Sequence, residues 1–407
     1  MKKNLNTLMS KLGCEKYPER WNQFFDEVAN DVDKNGCIYA TPEYYDKIGD
    51  KYNILTRFRD SYKDAAVEVG KNPDLTLFLA LLCRSLSDRE NYKEDLKQLS
   101  YPKAPEGANP LGYDMLTGLA VCSQVDYSYN KLKGMGLDEK TIETSLGLIE
   151  NGVWEYMKRN GGRAGYHLID WFQLSIEGKL FHIKRLEMEL FSKFNANAVV
   201  FKNANGDSVA LADGMTLHEC GIALGSNHFE DETNSWEATM SETDTSYIGH
   251  PIDDITGYVK KETIELSKSE WTPAIRKGDT VVGVHIPPNG SLKDEDVEAT
   301  IEETKAFIAR YFPDVDYKAF CCGSWLMDSQ LFEMVGEESN IAKFGKRFKK
   351  ITRKSNGNGV FYFVFLKRHG DTSYRIEDLP ENTRLERALK AHYLNDKVIY
   401  EIYGYFF

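Results

Sequence analysis

One stretch of this chain, residues 280–322, constrains the fold most, because it orders a strand, a loop, a helix and a second strand. Residues 280–284 are rich in β-branched side chains, which is typical of a buried strand. A loop with two prolines and a glycine follows, and residues 294–311 then carry apolar side chains at helical spacing. A second apolar run covers residues 317–322. This order predicts a crossover unit, with a parallel or splayed strand pair and a ligand site at the strand ends.

The spacing of the apolar residues changes near residue 163. Upstream they recur at helical spacing between capping signals such as Asn72-Pro73, whereas downstream they alternate between hairpin signals such as Asn205-Gly206. We therefore predict an α+β protein, with an all-helical N-terminal domain over residues 1–162 and a mixed α/β C-terminal domain over residues 163–407. The predicted strands include two short apolar runs, residues 171–175 and 360–366.

The charge balance of the chain limits its partners. The 407 residues carry a formal net charge of −12, whereas a protein that binds nucleic acid needs a basic face. The basic run at residues 343–354 is a candidate for a local basic patch. No apolar run approaches the roughly 20 residues that cross a bilayer, and the opening Met-Lys-Lys is not followed by the apolar segment of a signal peptide. We expect neither nucleic acid nor a membrane as the partner.

Cysteine usage is typical of a reducing compartment. The chain has seven cysteines and no CxxC pair. Cys321 and Cys322 are adjacent and alternate to opposite faces of a strand, which makes them poor partners for one disulfide. His218 and Cys220 form a possible metal pair, but no third ligand stands at a usable spacing. We expect a cytoplasmic protein without a metal site.

Three side chains at the ends of the two predicted strands are candidates for catalysis. His285 ends the first strand, and histidine is the side chain that titrates nearest neutral pH, which suits a general base. The alternative is a structural histidine that hydrogen-bonds the loop. Cys322 and Ser324 end the second strand, and they share a face if that strand continues through Gly323. They are candidates for a nucleophile, although most strand cysteines are simply small buried residues.

The loop between the first strand and the helix is a candidate phosphate site. Residues 287–292 lead from a strand to a helix N-terminus, where backbone N–H groups can hold a diphosphate. Acidic residues at 294–296 crowd the first turn of the helix and would repel phosphate. Ordinary capping with Ser291 as the cap explains the loop equally well, so both interpretations stay open.

Five short motifs occur together and in order in the chain. They are Leu180-Phe-His-Ile-Lys-Arg185-Leu-Glu-Met188, Gly283-Val-His285-Ile-Pro287, Ser324-Trp325-Leu-Met-Asp328, Ser339-Asn340-Ile341 and Leu379-Pro380-Glu-Asn-Thr383-Arg-Leu385. With these motifs the chain resembles a family of bacterial two-domain acyltransferases, in which a helical N-acyltransferase domain precedes a GNAT-like C-terminal domain. The resemblance is strongest from about residue 165 to the end.

The resemblance implies a GNAT-like core with a largely antiparallel, centrally splayed sheet, and acetyl-CoA or another acyl-CoA between the two central strands. It implies His285 as the base and Cys322 or Ser324 as the acid or a polar positioning group. The family often has a histidine where this chain has Gly323, so a mechanism that needs that histidine does not carry over. The residues expected to contact the acyl-CoA are Val284, Ile286, Asn289, Gly290, Ser291 and Trp325.

Three functions remain open at this point. The first is an acyl-CoA-dependent N-acyltransferase that moves an acyl group directly to the amine of a small molecule or peptide, with backbone N–H groups polarising the thioester carbonyl. The second is a GNAT-like protein that binds or senses a ligand without turnover. The third is a hydrolase or transferase that uses Cys322 as its nucleophile and His285 as its base.

Overall fold

The structure is a computed structural model that describes residues 4–167, 169–287, 290–367 and 372–407. Its backbone contacts divide the chain into two compact units, Met1–His182 and Ile183–Phe407. The predicted domains, residues 1–162 and 163–407, stay a prediction. Within the described ranges, no helix has both the length and the apolar character needed to cross a membrane.

The first unit is helical. The helix that begins at Pro73 shows how local sequence starts such an element. The Asn72 side chain accepts hydrogen bonds from the N–H groups of Asp74 and Leu75, and Pro73 occupies the first helical position. The helices are α1 Leu5–Lys11, α2 Phe25–Asn35, α3 Pro42–Tyr52, α4 Arg59–Gly70, α5 Pro73–Ser87, α6 Tyr92–Lys97, α7 Leu111–Asp114, α8 Leu116–Cys122, α9 Val125–Gly134, α10 Glu139–Gly147, α11 Ile149–Arg159 and α12 Ile169–Ile176.

The second unit mixes strands and helices, and its first strand, β1, contains the boundary between the units. The strands are β1 Leu180–Ile183, β2 Leu186–Lys193, β3 Ala198–Asn203, β4 Ser208–Ala212, β5 Met215–His218, β6 Ser235–Ala238, β7 Ser241–Glu242, β8 Ser246–Pro251, β9 Ile264–Ser267, β10 Trp271–Ile275, β11 Thr280–His285, β12 Phe320–Ser324, β13 Lys349–Thr352 and β14 Ile402–Phe406. The helices are α13 Asp294–Tyr311, α14 Ser329–Val335, α15 Asn340–Lys346, α16 Asn358–Phe363 and α17 Arg384–Leu394.

The largest sheet carries the predicted crossover unit at its centre. Its strand order is β1-β2-β11-β12-β14-β13. Strands β11 and β12 are parallel and joined through α13, while β2 against β11, β12 against β14 and β13 against β14 are antiparallel. A second sheet has the order β10-β3-β4-β8-β7, and β5 pairs with β6. The predicted fold class, a helical region followed by a mixed α/β domain with a largely antiparallel sheet, is confirmed.

One face of the large sheet packs on the second sheet. Val281, Cys321 and Tyr405 of the large sheet share a buried cluster with Val200 and Ala210 of the second. Burial of these side chains removes apolar surface from water and so holds the two sheets together. We call the face that carries Val281, Cys321 and Tyr405 the inner face.

Two predicted strands are wrong. Residues 171–175 lie in α12, where the buried positions Ile169, Phe172, Gln173 and Ile176 follow helical spacing. Residues 360–363 of the predicted strand 360–366 lie in α16. Short apolar runs do not distinguish a strand from a buried helical turn, and tertiary packing decided both cases.

Candidate active site

The two central strands, β11 and β12, separate at their carboxyl ends. Their pairing stops at Gly283 and Cys321 within the described residues. Strand β11 nevertheless continues against β2 as far as His285, and β12 continues against β14 as far as Ser324. Because each strand stays with its outer neighbour, a gap forms between them. We call it the central opening.

The backbone of β11 turns one N–H group toward the central opening. Val282 N donates to Ala319 O at 2.9 Å, across to the chain that leads into β12. On a strand, N–H groups point to the same side at every second residue, so the Val284 N–H takes part in the pair Gly283–Cys321 and the Ile286 N–H is the next on this side, beyond the last strand pair. Val284 is buried, whereas Ile286 follows the end of β11 and is half-buried, and the Ile286 N–H is a candidate donor to a carbonyl oxygen placed in the opening.

Strand alternation divides the predicted catalytic residues between two faces. Gly283 and Cys321 are paired, so His285, two residues further on, lies on the inner face. Strand β12 runs unbroken through Gly323, so Cys322 and Ser324 share the opposite face. The structure therefore brings Cys322 and Ser324 to one face but does not bring them to His285.

His285 forms a pair with a glutamate of the neighbouring strand. Its Nε2 lies 3.0 Å from Oε2 of Glu189 on β2, and the two side chains are 32% and 22% exposed. When Nε2 carries the proton that Glu189 accepts, Nδ1 is the basic nitrogen of the ring. A carboxylate in this position holds the imidazole in one tautomer and stabilises the imidazolium that forms on proton transfer.

Gly283 makes the space in which this pair sits. A Cβ added at Gly283 would lie 3.2 Å from His285 Nε2 and 3.2 Å from Glu189 Cβ. Both distances are tighter than ordinary van der Waals contact, so a side chain here would displace the imidazole or the glutamate. The absence of a side chain at Gly283 thus lets the imidazole fold back along its own strand toward β2.

Cys322 and Ser324 have structural explanations in their own surroundings. Cys322 is 4% exposed, and burial raises the pKa of its thiol to about 12, which disfavours both a thiolate nucleophile and a proton donor. The Ser324 hydroxyl accepts a hydrogen bond from Leu326 N at 3.1 Å and caps the short 3₁₀ turn Trp325–Met327.

The possible metal pair predicted from the sequence forms a contact in the structure. His218 Nδ1 lies 3.3 Å from Cys220 Sγ. Across the described ranges, no group of three or more His, Cys, Asp and Glu side chains is placed to hold a metal ion.

Arg185 holds the loop that leads from β11 to α13. Its guanidinium donates to Pro287 O at 3.1 Å, to Gly290 O at 2.8 Å and to Ser291 O at 2.8 Å. The Arg185 backbone N–H donates to Thr300 Oγ1 at 3.2 Å, which ties the same residue to α13. Burial lowers the pKa of this guanidinium, yet arginine keeps its charge near neutral pH.

These bonds orient the peptide units of the loop. In a trans peptide the N–H points opposite to the C=O, so the N–H groups of Ser291 and Leu292 point away from Arg185. Such outward N–H groups before a helix suit a diphosphate. Ser291 as the helix cap is wrong: α13 begins after Lys293, and no side chain caps it. Asp294 pairs with Arg347, so this carboxylate is partly neutralised.

The residues predicted to contact acyl-CoA lie around the central opening and this loop. Ile286 is half-buried, Gly290 and Ser291 are exposed, and Trp325 is buried with its ring beside Gly359. Asn289 lies outside the described residues. Their contact with acyl-CoA stays a prediction.

If acyl-CoA binds here as the sequence predicts, we expect the substitution Arg185→Gln to weaken its binding about tenfold. The three lost hydrogen bonds are worth about 1 kcal/mol each, and part of that value, about 1.4 kcal/mol, reaches the ligand as the cost of ordering the loop backbone. The maximal rate at saturating acyl-CoA should change little. Lys184→Ala is the matched control, since this neighbour pairs only at 4.0 Å with Glu303 and is half exposed. Isothermal titration measures the affinity of both variants for octanoyl-CoA. An affinity in Arg185→Gln equal to that of the original protein would contradict the role of Arg185 in cofactor binding.

Neither Glu189 nor the role of Arg185 was predicted from the sequence. A usable signal was present: Glu187 and Glu189 alternate with the buried Leu186, Met188 and Leu190 along β2. Alternation puts both glutamates on one face, but only the pairing of β2 with β11 brings that face to His285.

Comparisons with known proteins agree with this fold. A family model described as the GNAT-like C-terminal domain matches residues 180–406. A solved acyltransferase in complex with decanoyl-CoA and teicoplanin has a TM-score of 0.62 and 15% identity, over 99% of each chain. A mutant acyltransferase in complex with octanoyl-CoA has a TM-score of 0.60 and 16% identity, over 98% of each chain. No curated protein matches the sequence.

Proposed function

Because the chain belongs to the family with a GNAT-like C-terminal domain, as its motifs indicated, we propose that it is an acyl-CoA-dependent N-acyltransferase. The observation that carries the proposal is the central opening, with the pair His285–Glu189 at its inner edge. Solved structures of similar fold are acyltransferases bound to decanoyl-CoA or octanoyl-CoA, which supports an acyl-CoA as the donor. One of them is bound to teicoplanin, which supports a small-molecule or peptide acceptor.

Acyl-CoA would bind with its thioester in the central opening. There the Ile286 N–H donates to the thioester oxygen, and it stabilises the negative charge that develops on this oxygen when the carbonyl is attacked. The N–H groups of Ser291 and Leu292, oriented by Arg185, hold the diphosphate at the start of α13.

The chemistry is one direct transfer. The acceptor amine attacks the thioester carbonyl carbon, a C–N bond forms, and the C–S bond to CoA breaks. His285 takes the proton that the amine loses, at the ring nitrogen not bonded to Glu189, and Glu189 stabilises the resulting imidazolium. The departing thiolate takes up a proton from the imidazolium or from water. Cys322 takes no part in this route, because its raised thiol pKa of about 12 makes it a weaker acid than an ordinary thiol.

The same thiol argues against a cysteine-dependent hydrolase. A nucleophilic cysteine needs a base beside it, but His285 lies on the other face of the sheet from Cys322. A sensor that binds acyl-CoA without turnover differs from the proposed enzyme only in catalysis, so a turnover measurement separates the two.

The test has two readouts. Thermal unfolding is followed with acetyl-, octanoyl- and decanoyl-CoA, and a ligand at a hundred times its Kd stabilises the folded protein by about 2.7 kcal/mol. Mass spectrometry then looks for acylated amine and free CoA with a panel of small amines and peptides. We expect both a stabilising shift and a product. Stabilisation without any product would favour the sensor, and no stabilisation by any acyl-CoA would overturn the proposal.

A further inference from the structure

The basic run at residues 343–354 does not form a basic patch, because carboxylates neutralise most of its members. Lys350, also in the run, is buried. The ion pairs are Lys343–Glu338, Lys346–Glu337, Arg347–Asp294, Arg347–Glu298 and Lys349–Asp254. The last two cations of the run, Arg353 and Lys354, are neither buried nor paired with a carboxylate among the residues that the structure describes.

Arg353 and Lys354 line a cavity of about 420 Å³ in the second unit. Neither forms an ion pair within the part of the chain that the structure describes. The remaining lining residues are uncharged; they are Asn195, Ala196, Asn197, Gly214, Met215, Thr216, Ala223, Leu224, Thr352 and Tyr403. Asp213, the nearest carboxylate in the sequence, accepts a hydrogen bond from Met240 N at 3.3 Å. The cavity therefore carries two positive charges with no carboxylate in its lining.

The cavity adjoins the central opening on the inner face. A Cβ added at Gly323 would lie 2.6 Å from Arg353 Nη1, so the guanidinium occupies the space above Gly323 at the end of β12. Tyr403 pairs with Gly323 across the strands and lines the same cavity. Pairing of β11 with β12 puts His285 on this inner face too. His285 at the end of β11 and the cavity with Arg353 at the end of β12 thus lie on either side of the opening.

We propose that this cavity binds the carboxylate of the acceptor, which would be an amino acid or a short peptide with a free carboxyl group. The inference rests on the proposed function, since it names the acceptor class for the same site. Arg353 is the anchor, because a planar guanidinium binds a carboxylate through two parallel hydrogen bonds. Lys354 adds a second positive charge. Asn195, Asn197 and Thr216 offer donors, and Met215, Leu224 and Tyr403 offer apolar surface to a side chain.

The phosphates of CoA are the other anion to consider, and the geometry favours a carboxylate. The loop that Arg185 orients lies after β11, whereas Arg353 stands beyond β12, on the far side of the opening. A ligand that extends from the Arg353 guanidinium across Gly323 presents its amine toward His285. A volume of about 420 Å³ is suited to an amino acid or a dipeptide.

The test uses matched probes and matched variants. The probes are the common amino acids and a set of dipeptides, each offered as the free carboxylate and as its amide. The variant Arg353→Gln/Lys354→Gln removes both cations, and Lys343→Gln is the control, since this lysine is paired with Glu338. Gly323→Ala is a second variant that keeps both cations, because its methyl group displaces only the flexible end of Arg353. Binding is measured by isothermal titration, with and without CoA, and acylation with octanoyl-CoA by mass spectrometry.

We expect at least one carboxylate probe to bind tenfold or more tightly than its amide in the original protein and in Lys343→Gln. In Arg353→Gln/Lys354→Gln this preference should be lost, and in Gly323→Ala it should be reduced, while CoA affinity stays unchanged in both. A preference that survives the double variant, or no preference for any carboxylate, would overturn the inference. So would a loss of CoA affinity in the double variant, which would assign the cations to the cofactor phosphates. Carboxylate binding without acyl transfer would overturn the proposed function but leave this site standing.

Discussion

Replacing His285 by alanine is expected to lower kcat for acyl transfer by about 10²–10⁴-fold, which is the usual contribution of a general base. The attacking amine must lose a proton, and the base that we propose is His285, which lies at the edge of the central opening and contacts Glu189. The affinity for acyl-CoA should stay within a factor of about two, because in the proposed mode of binding the β11 backbone and the loop at Arg185 hold the cofactor. Initial rates at saturating acyl-CoA, together with isothermal titration, separate the two effects.

In the proposed mechanism Glu189 acts through His285 and is therefore a positioning residue. We expect Glu189→Gln to lower kcat by about 10- to 100-fold with KM unchanged, and Glu189→Asp to restore part of the loss, because only a carboxylate stabilises the imidazolium. A purely structural role would instead change KM and stability together. If His285→Ala kept most of the activity, the base would have to be another group, and Glu187, which pairs directly with His285 across the strands, would be tested next.

Replacing Lys350 by methionine is expected to stabilise the protein by up to about 3 kcal/mol at pH 7. Lys350 is 2% exposed, and its Nζ lies 4.3 Å from the ring centre of Phe332. Burial lowers the pKa of Lys350 from 10.5 to about 8, against the opposing effect of the carboxylates Asp328, Asp253 and Glu337. A pKa lowered by this much corresponds to about 3 kcal/mol spent on keeping the buried ammonium charged.

The sign of the pH dependence follows from the direction of the shift. Below pH 8 the ammonium is charged in both the folded and the unfolded chain, and the folded chain bears the full cost of burial. Between pH 8 and 10.5 the folded chain releases the proton and the unfolded chain keeps it, so this group adds stability as the pH rises. The advantage of Lys350→Met should therefore be largest at pH 7 and shrink steadily above pH 8.

Urea unfolding of both proteins at pH 7, 8, 9 and 10 tests this, with the difference between them as the readout. The difference is needed because burial raises the thiol pKa of Cys321 and of Cys322 to about 12. Such thiols lower the free energy of unfolding of both proteins as the pH rises. Lys349→Met is the matched control: its ammonium pairs with Asp254 at 2.8 Å and is partly exposed, so we expect a small change with no trend in pH. A difference in the free energy of unfolding between Lys350→Met and the original protein that did not vary with pH would contradict the lowered pKa of Lys350.

The sequence by itself determined the central unit of the fold. The β-branched run of β11, the helical spacing of α13 and the apolar run before Gly323 are local patterns. Each predicts the right kind of element, although β12 begins at Phe320 and not at residue 317. The motifs also identified the family, because they occur together and in order. His285 was found in the same way, since it ends a strand that its own neighbours define. Local spacing and turn residues are sufficient for features of this kind.

Only the tertiary structure decided which side chains surround His285. Strand register is a non-local property: the pairing of β2 with β11 brings Glu189 to the imidazole, and the pairing of β11 with β12 puts Cys322 on the other face. A shift of one residue in either register would exchange the faces, and no local pattern around His285 records it. For the same reason the place of Arg353 above Gly323 depends on β13, β14 and β12 lying side by side, although the residues are thirty positions apart in the sequence.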